Sequence, residues 1–137
     1  VIINNNYMKN LRTTGEAFLK ALTARDFKQM ETFLAPDIKF RALLPPGSFE
    51  WNGPVAVIEN LSSWFGSADD FELLDSQIEE VNGRLRLAYK FRLRPHPFNP
   101  GSGWHVIEQQ LFCDGGAEAL TGIDLLCSGF LPEIENK

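Results

Sequence analysis

The stretch "FELLDSQIEEVNGRLRLAYKFRLR", residues 71–94, constrains the fold more than any other part of the chain. Asn82-Gly83 is a dipeptide favoured at the centre of a type I′ turn, where both residues take positive φ. Beyond it, Leu85, Leu87, Tyr89, Phe91 and Leu93 alternate with Arg84, Arg86, Lys90, Arg92 and Arg94. A period of two with one apolar and one basic set predicts a long hairpin. The apolar set faces a core and the basic set faces water, opposite the acidic "EE" of the first arm. A lone hairpin is at best marginally stable in water, so the rest of the chain must cover its apolar side.

Three helices are available to do so. "TTGEAFLKALTARDFKQMETFLAPD" reads as two helices in an angled hairpin. Leu11, Phe18, Leu19 and Leu22 give the first an apolar stripe, and Phe27, Met30, Phe33 and Leu34 give the second. Asp26 and Gln29 have capping-box spacing, and Pro36 marks the end of the second helix. "NGPVAVIENLSSWFG" reads as the third helix, with Pro54 at its first position and Gly66 as its C-cap. The strand "DIKFRALL" lies between them, ended by Pro45-Pro46-Gly47. "GWHVIEQQLFCD" and "LTGIDLLCSGF" follow the hairpin. The order ααβαββββ predicts an α+β fold, a curved antiparallel meander wrapped around helices, with strand 84–94 central.

The strand at 104–114 has two plausible faces. Trp104, Val106, Glu108, Gln110 and Phe112 share one; His105, Ile107, Gln109, Leu111 and Cys113 share the other. Both are partly apolar, so alternation alone does not say which is wet.

The chain of 137 residues is expected to form one domain, and 44% hydrophobic with 12% aromatic residues predicts a globular core. Thirteen basic against eighteen acidic residues give a net charge of −5, which argues against general affinity for nucleic acid or anionic membrane. No apolar run approaches the ~20 residues of a membrane-spanning helix. The opening "VIINNNYMKN" lacks the charged and apolar regions of a secretory leader. A cytoplasmic location is therefore expected. If the last two strands pair as a hairpin, Cys113 and Cys127 lie far beyond the ~7 Å Cα limit for a disulfide, so both are expected as free thiols. Their spacing with His96 and His105 is no metal motif, and neither a metal nor a cofactor is expected.

The element order, with "ARDFKQMETFLAPDIKF", "WNGPVAVIENL" and "IDLLCSGF", resembles the nuclear-transport-factor-2-like superfamily, and within it the SnoaL-like polyketide-cyclase group. The resemblance covers roughly residues 8 to 131. It implies a cone-shaped α+β barrel, an apolar pocket between sheet and helices, and dimerisation through the outer sheet face. The superfamily spans isomerases, dehydratases, hydrolases, cyclases and non-catalytic members, so the fold leaves function open. The hydrogen-bonding Tyr of ketosteroid isomerases is matched by Phe18, and their catalytic Asp by Ala42, beside Arg41. Neither side chain can do that chemistry. Their third carboxyl lies four residues before a Phe on the penultimate strand, which matches Glu108 before Phe112.

The resemblance thus points Glu108 into the pocket as a candidate acid/base. Phe18, Phe40, Arg41, Trp64, Tyr89, Phe91, Gln110, Phe112, Leu125 and Cys127 are the candidate substrate-binding residues around it. His105 falls on the opposite face, and Asp124 alternates away from the inward Ile123, Leu125 and Cys127. Ile107, Leu111 and Leu126 are assigned outward, to a homodimer face. Two readings follow: an acid/base isomerase, dehydratase or cyclase acting on a small apolar carbonyl compound, or a non-catalytic ligand-binding or assembly domain. His96, between two prolines, reads as a surface residue.

Overall fold

The computed structural model describes residues 5–116 and 118–134. Val1–Asn4, part of the segment on which the reading of the chain's start rests, lies outside them. There are three helices, α1 (Asn5–Thr23), α2 (Phe27–Glu31) and α3 (Pro54–Phe65), the last following the first two strands. The strands are β1 (Leu34–Leu44), β2 (Gly47–Asn52), β3 (Asp70–Val81), β4 (Arg84–Arg94), β5 (His105–Gly115), β6 (Leu120–Cys127) and the short β7 (Leu131–Pro132). They form one sheet in the order β2-β1-β6-β5-β4-β3, with β7 on β5. The fold is α+β, the sheet curving around the helices as a cone.

The hairpin forms as its sequence dictates. Asn82 and Gly83 take φ of 50° and 84°, and Val81 pairs with Arg84 across the turn. Leu85, Leu87, Tyr89, Phe91 and Leu93 are all buried, alternating with residues that are partly or fully exposed. Every cation of the β4 outer face meets a carboxylate. Arg84 meets Asp114 and Asp124, Arg86 meets Glu79, Lys90 meets Glu108, Arg92 meets Glu72 and Glu133, and Arg94 meets Asp70. The basic stripe is half of a cross-strand charge ladder. Over the inner face lies α1, with Leu11, Phe18 and Leu22 buried. The contact is close enough that a methyl group at Gly15 would overlap Leu85 Cδ2.

Asp26 caps α2, its Oδ1 accepting the Gln29 N–H at 3.1 Å. Four features differ from the sequence reading. First, α2 ends at Glu31, and Pro36 lies inside β1 rather than ending a helix. Second, "GSFEWN" is an edge strand, β2, which six residues beside Pro45-Pro46 do not advertise. Third, β4 is second from the edge, because β6 pairs onward with β1. Fourth, that pairing is parallel, so the sheet is no simple meander.

The largest correction concerns β5. Ile107, Gln109, Leu111 and Cys113 face inward and are buried, while Glu108, Gln110 and Phe112 face outward. The cause is the neighbouring strand. Directly paired residues share a face, and β6 pairs Cys127 with Gln109, Leu125 with Leu111 and Ile123 with Cys113. Once Ile123, Leu125 and Cys127 point inward, Glu108 cannot. Ile107 and Leu111 are thereby removed from any outer dimer face. The two cysteines are free, and sit on one face four residues apart in register, about 14 Å of strand.

Candidate ligand-binding cleft

The sheet's outer face holds several of the residues expected in a pocket. Glu108 has a side chain 63% exposed, 3.7 Å from Lys90 Nζ. Arg41 extends across the outer face to Asp124, with Nε–Oδ1 at 2.7 Å and Nη2–Oδ2 at 3.0 Å. Hydrogen bonding from Arg41, helped by Arg84, holds the Asp124 carboxyl below its usual range. Gln110 accepts from Arg86 Nε at 3.0 Å, and Phe112 lies beside Asp124 in register. All four face away from the cone's interior.

Phe18, Phe40, Phe91 and Leu125 do face inward, but they are packed solid, each at most 2% exposed. They are core. Ala42 is also buried, so the two positions that the resemblance matches to a Tyr and an Asp carry Phe18 and Ala42 in the core, and the buried polar residue of β5 is Gln109. Among the described residues the buried polar side chains, apart from Tyr89, are Thr14 and Gln109. No carboxylate is among them.

Gln109 organises the inner wall. Its Oε1 accepts from the Tyr89 hydroxyl at 2.5 Å, and its Nε2 donates to Cys127 Sγ at 3.3 Å. The sulfur also accepts the Gly129 backbone N–H at 3.3 Å. Burial, with the Cys127 and Cys113 sulfurs nearby, pushes the Tyr89 phenol well above its ordinary value. Burial likewise pushes the Cys113 thiol up to about 12. Both groups stay protonated at neutral pH, so this row is a hydrogen-bonded brace rather than a base.

The row ends at an opening. Where the β1–β2 turn, the end of α3, the β4–β5 loop and the β6–β7 link converge, there is a cleft of about 520 Å³. Leu44, Pro45, Pro46, Trp64, Ile107 and Cys127 line one part of it; His96, Phe98, Ser128, Gly129, Phe130 and Leu131 line the rest. Of the residues singled out from sequence, Trp64 and Cys127 stand here. Gly129 has φ of 82°, and a Cβ on it would sit 2.7 Å from Pro45 Cγ, so glycine lets the two rims approach. A larger groove of about 620 Å³ crosses the outer face beside Arg41, Leu43 and Leu126. It is more open, it carries the exposed Glu50, and its Arg41 and Asp124 already satisfy one another, so the cleft is the better site for an apolar ligand.

His96 is part of the wall, not the surface residue that its place between two prolines predicts. Its ring stands edge-on to Phe130, centroids 4.4 Å apart, and 4.7 Å from His105. Its Nδ1 accepts the Phe98 backbone N–H at 3.0 Å, and its own backbone N–H donates to Ser102 Oγ at 2.9 Å. An accepting Nδ1 carries no proton, so the neutral ring holds its hydrogen on Nε2. Burial, reinforced by His105, lowers the His96 pKa and favours this neutral form. The only sequence signal was a histidine in "PHPFNPGSG", a loop that follows an inward-facing strand. Phe98 and Phe130 gave none, because loop aromatics have no period to betray their direction.

No protein-family model matches the chain, and no curated protein matches it. Solved structures do. A protein assigned as a polyketide cyclase from Xanthomonas campestris pv. campestris superposes with a TM-score of 0.71 at 19% identity, covering 89% of this chain and 92% of that one. A protein assigned as a SnoaL-like polyketide cyclase from Shewanella putrefaciens CN-32 gives 0.68 at 13% identity, covering 92% and 91%. One assigned as a ketosteroid isomerase from Kribbella flavida DSM 17836 gives 0.62 at 14%, covering 94% and 82%. At these identities the likeness is one of fold. The chain has the nuclear-transport-factor-2-like fold, in the form shared with SnoaL-like proteins.

Proposed function

We propose that this chain binds a small, largely apolar molecule in the cleft at the open end of the cone, and does so without acid–base turnover. The observation that carries the reading is the cleft itself. Its walls are mainly aromatic and aliphatic, it is continuous with the core, and no carboxylate or cation lines it. Such a site gains affinity by burying apolar surface. Proton transfer would need a group free to exchange a proton near neutrality; the inner wall offers Gln109 and a phenol held far above it, and His96, the imidazole of the cleft, is held neutral with its Nδ1 lone pair occupied by the Phe98 N–H. The likeness to proteins named as cyclases and isomerases is compatible with a related ligand class, but the acid/base residue anticipated on β5 faces water.

Titration with N-phenyl-1-naphthylamine, an uncharged fluorophore that brightens in apolar surroundings, tests this. The wild type should show saturable one-to-one binding. Leu44→Trp, which fills the cleft from the end of β1, should weaken it at least tenfold with little change in thermal stability. Glu108→Gln should bind like the wild type, and its stability should stay within about 0.5 kcal/mol, the usual range for an exposed pair. Non-saturable binding, or binding indifferent to Leu44→Trp, would sink the reading.

A second copy is the proposed partner of the outer face. Leu43 pairs with Leu126, Leu126 with Gln110 and Gln110 with Ala88, so an uncharged row crosses four strands between charged ones. Leu43 and Leu126 are 52% and 44% exposed, and a self-complementary two-fold contact would cover them. Sedimentation at micromolar concentration should give a dimer that Leu126→Glu converts to a folded monomer. A wild type that sediments as a monomer would refute the pairing. No helix among the described residues is long and apolar enough to cross a membrane.

A further inference from the structure

We infer that Trp64 and His96 form a donor pair that makes the cleft specific for an uncharged ligand bearing a hydrogen-bond-accepting oxygen. The inference rests on the binding function proposed above and follows from an inventory of the cleft's polar atoms. Trp64 is 92% buried, the complement of its 8% exposure, yet its indole Nε1–H has no hydrogen-bond partner among the described residues. The same holds for the Nε2–H of His96, whose other nitrogen is occupied by Phe98. Among the described residues no side-chain nitrogen or oxygen is both enclosed and unpartnered, so each of these N–H groups reaches open space. Both residues line the cleft.

The remaining polar groups there are already engaged. Ser128 Oγ donates to the Gly129 carbonyl at 2.8 Å and accepts the Glu108 backbone N–H at 2.9 Å. Cys127 Sγ accepts two N–H groups. Among side chains the free inventory therefore consists of donors, one from α3 and one from the β4–β5 loop. A ligand that only donates, such as an amine, would leave both unpaired and add a desolvated group of its own. A carboxylate would satisfy them but would be stripped of water with no cation beside it, in a chain of net charge −5. A ketone, ester or quinone oxygen avoids both costs. Protonation of His96 is opposed by the Phe98 N–H pointing at Nδ1, so the donor stays neutral and directed.

Three probes of one shape separate these cases at pH 7.5: 2-acetylnaphthalene, its isostere 2-isopropenylnaphthalene, and 2-naphthoate. The wild type should bind the ketone about tenfold more tightly than the alkene, the value expected for a net hydrogen-bonding gain in a dry site. It should bind the naphthoate no better than the alkene. His96→Phe and Trp64→Phe should each cut the ketone preference to about threefold, and the double variant should abolish it. Both residues are part of the wall, so alkene affinity will fall with each substitution, and the ketone-to-alkene ratio within each variant is the readout. In nitrogen NMR spectra the ketone, and not the alkene, should shift His96 Nε2. A wild-type ratio near one, a ratio that survives His96→Phe, or tighter binding of naphthoate would overturn the inference while the cleft still binds. If neither neutral probe binds, the cleft function itself falls, and the donor pair with it. Because His96 is on a loop, its substitution decides the matter even if Trp64→Phe fails to fold.

Discussion

Phe65→Ala will lower the free energy of unfolding by about 3–5 kcal/mol and the melting temperature by roughly 10–20 °C. Phe65 is fully buried at the end of α3. Its ring meets Trp64, Phe71, Phe91 and Phe130 with centroids 5.3 to 6.4 Å away. These neighbours belong to four different parts of the fold, so the cavity left by truncation has no single side that can collapse into it. Edge-on and tilted ring contacts are lost besides the buried area. Two of the neighbours, Trp64 and Phe130, also line the cleft, so affinity for an apolar probe should fall along with stability. The control is Phe98→Ala, 63% exposed at the rim, which should change stability by less than about 0.5 kcal/mol. Urea denaturation of both variants decides it. A Phe65→Ala cost below about 1 kcal/mol would mean that this aromatic junction is not the keystone of the helix layer.

The buried brace is the second place where one side chain matters greatly. Gln109→Leu should cost about 1–3 kcal/mol, because it strands the Tyr89 hydroxyl without an acceptor inside the core. Tyr89→Phe should cost a similar amount by stranding Gln109 Oε1. The double variant, with both ends apolar, should recover most of the loss, giving a coupling of at least about 1 kcal/mol in a double-mutant cycle. Additive losses would show that each group finds another partner and that the pair is no unit. If the pair couples, its role is orientation: Gln109 can satisfy Tyr89 and Cys127 together only when β4, β5 and β6 hold their observed register.

The parts of this fold legible in the sequence were those where one face is charged and the other apolar. β4 announces its direction because arginine and lysine alternate with leucine and aromatic residues. β5 does not, since Val106 and Phe112 on the outer face match Ile107 and Leu111 on the inner one in apolarity. What decides its orientation is non-local, the pairing with β6, whose inward Cys127 requires Gln109 inward. The family likeness drew attention one residue to the side, to Glu108, because a motif spacing carries no information about a strand's rotation. β2 was hidden by Pro45-Pro46, which end one strand but also open a tight return into another. The cleft was least legible of all. It is assembled from the ends of elements and from loops, where glycine φ values, ring edges and a histidine tautomer matter, and none of these has a period.

The parallel pairing of β1 with β6 has a consequence for how the molecule comes together. Arg41 and Asp124, which lie side by side in that pair, are 83 positions apart in the chain. Every other long ladder joins consecutive strands. The sheet is thus two half-sheets, β2–β1 and β6–β5–β4–β3, and each can zip locally while the seam between them must wait for nearly the whole chain. Until β6 is in place, β1 exposes the side of its backbone that will later be covered at the centre of the sheet, as does β5. For that interval the molecule has the unpaired edges that recruit other chains, in the very region that is most protected once folding ends. Lesions in residues 120–127 should therefore show themselves in aggregation during synthesis sooner than in the properties of whatever protein survives to fold.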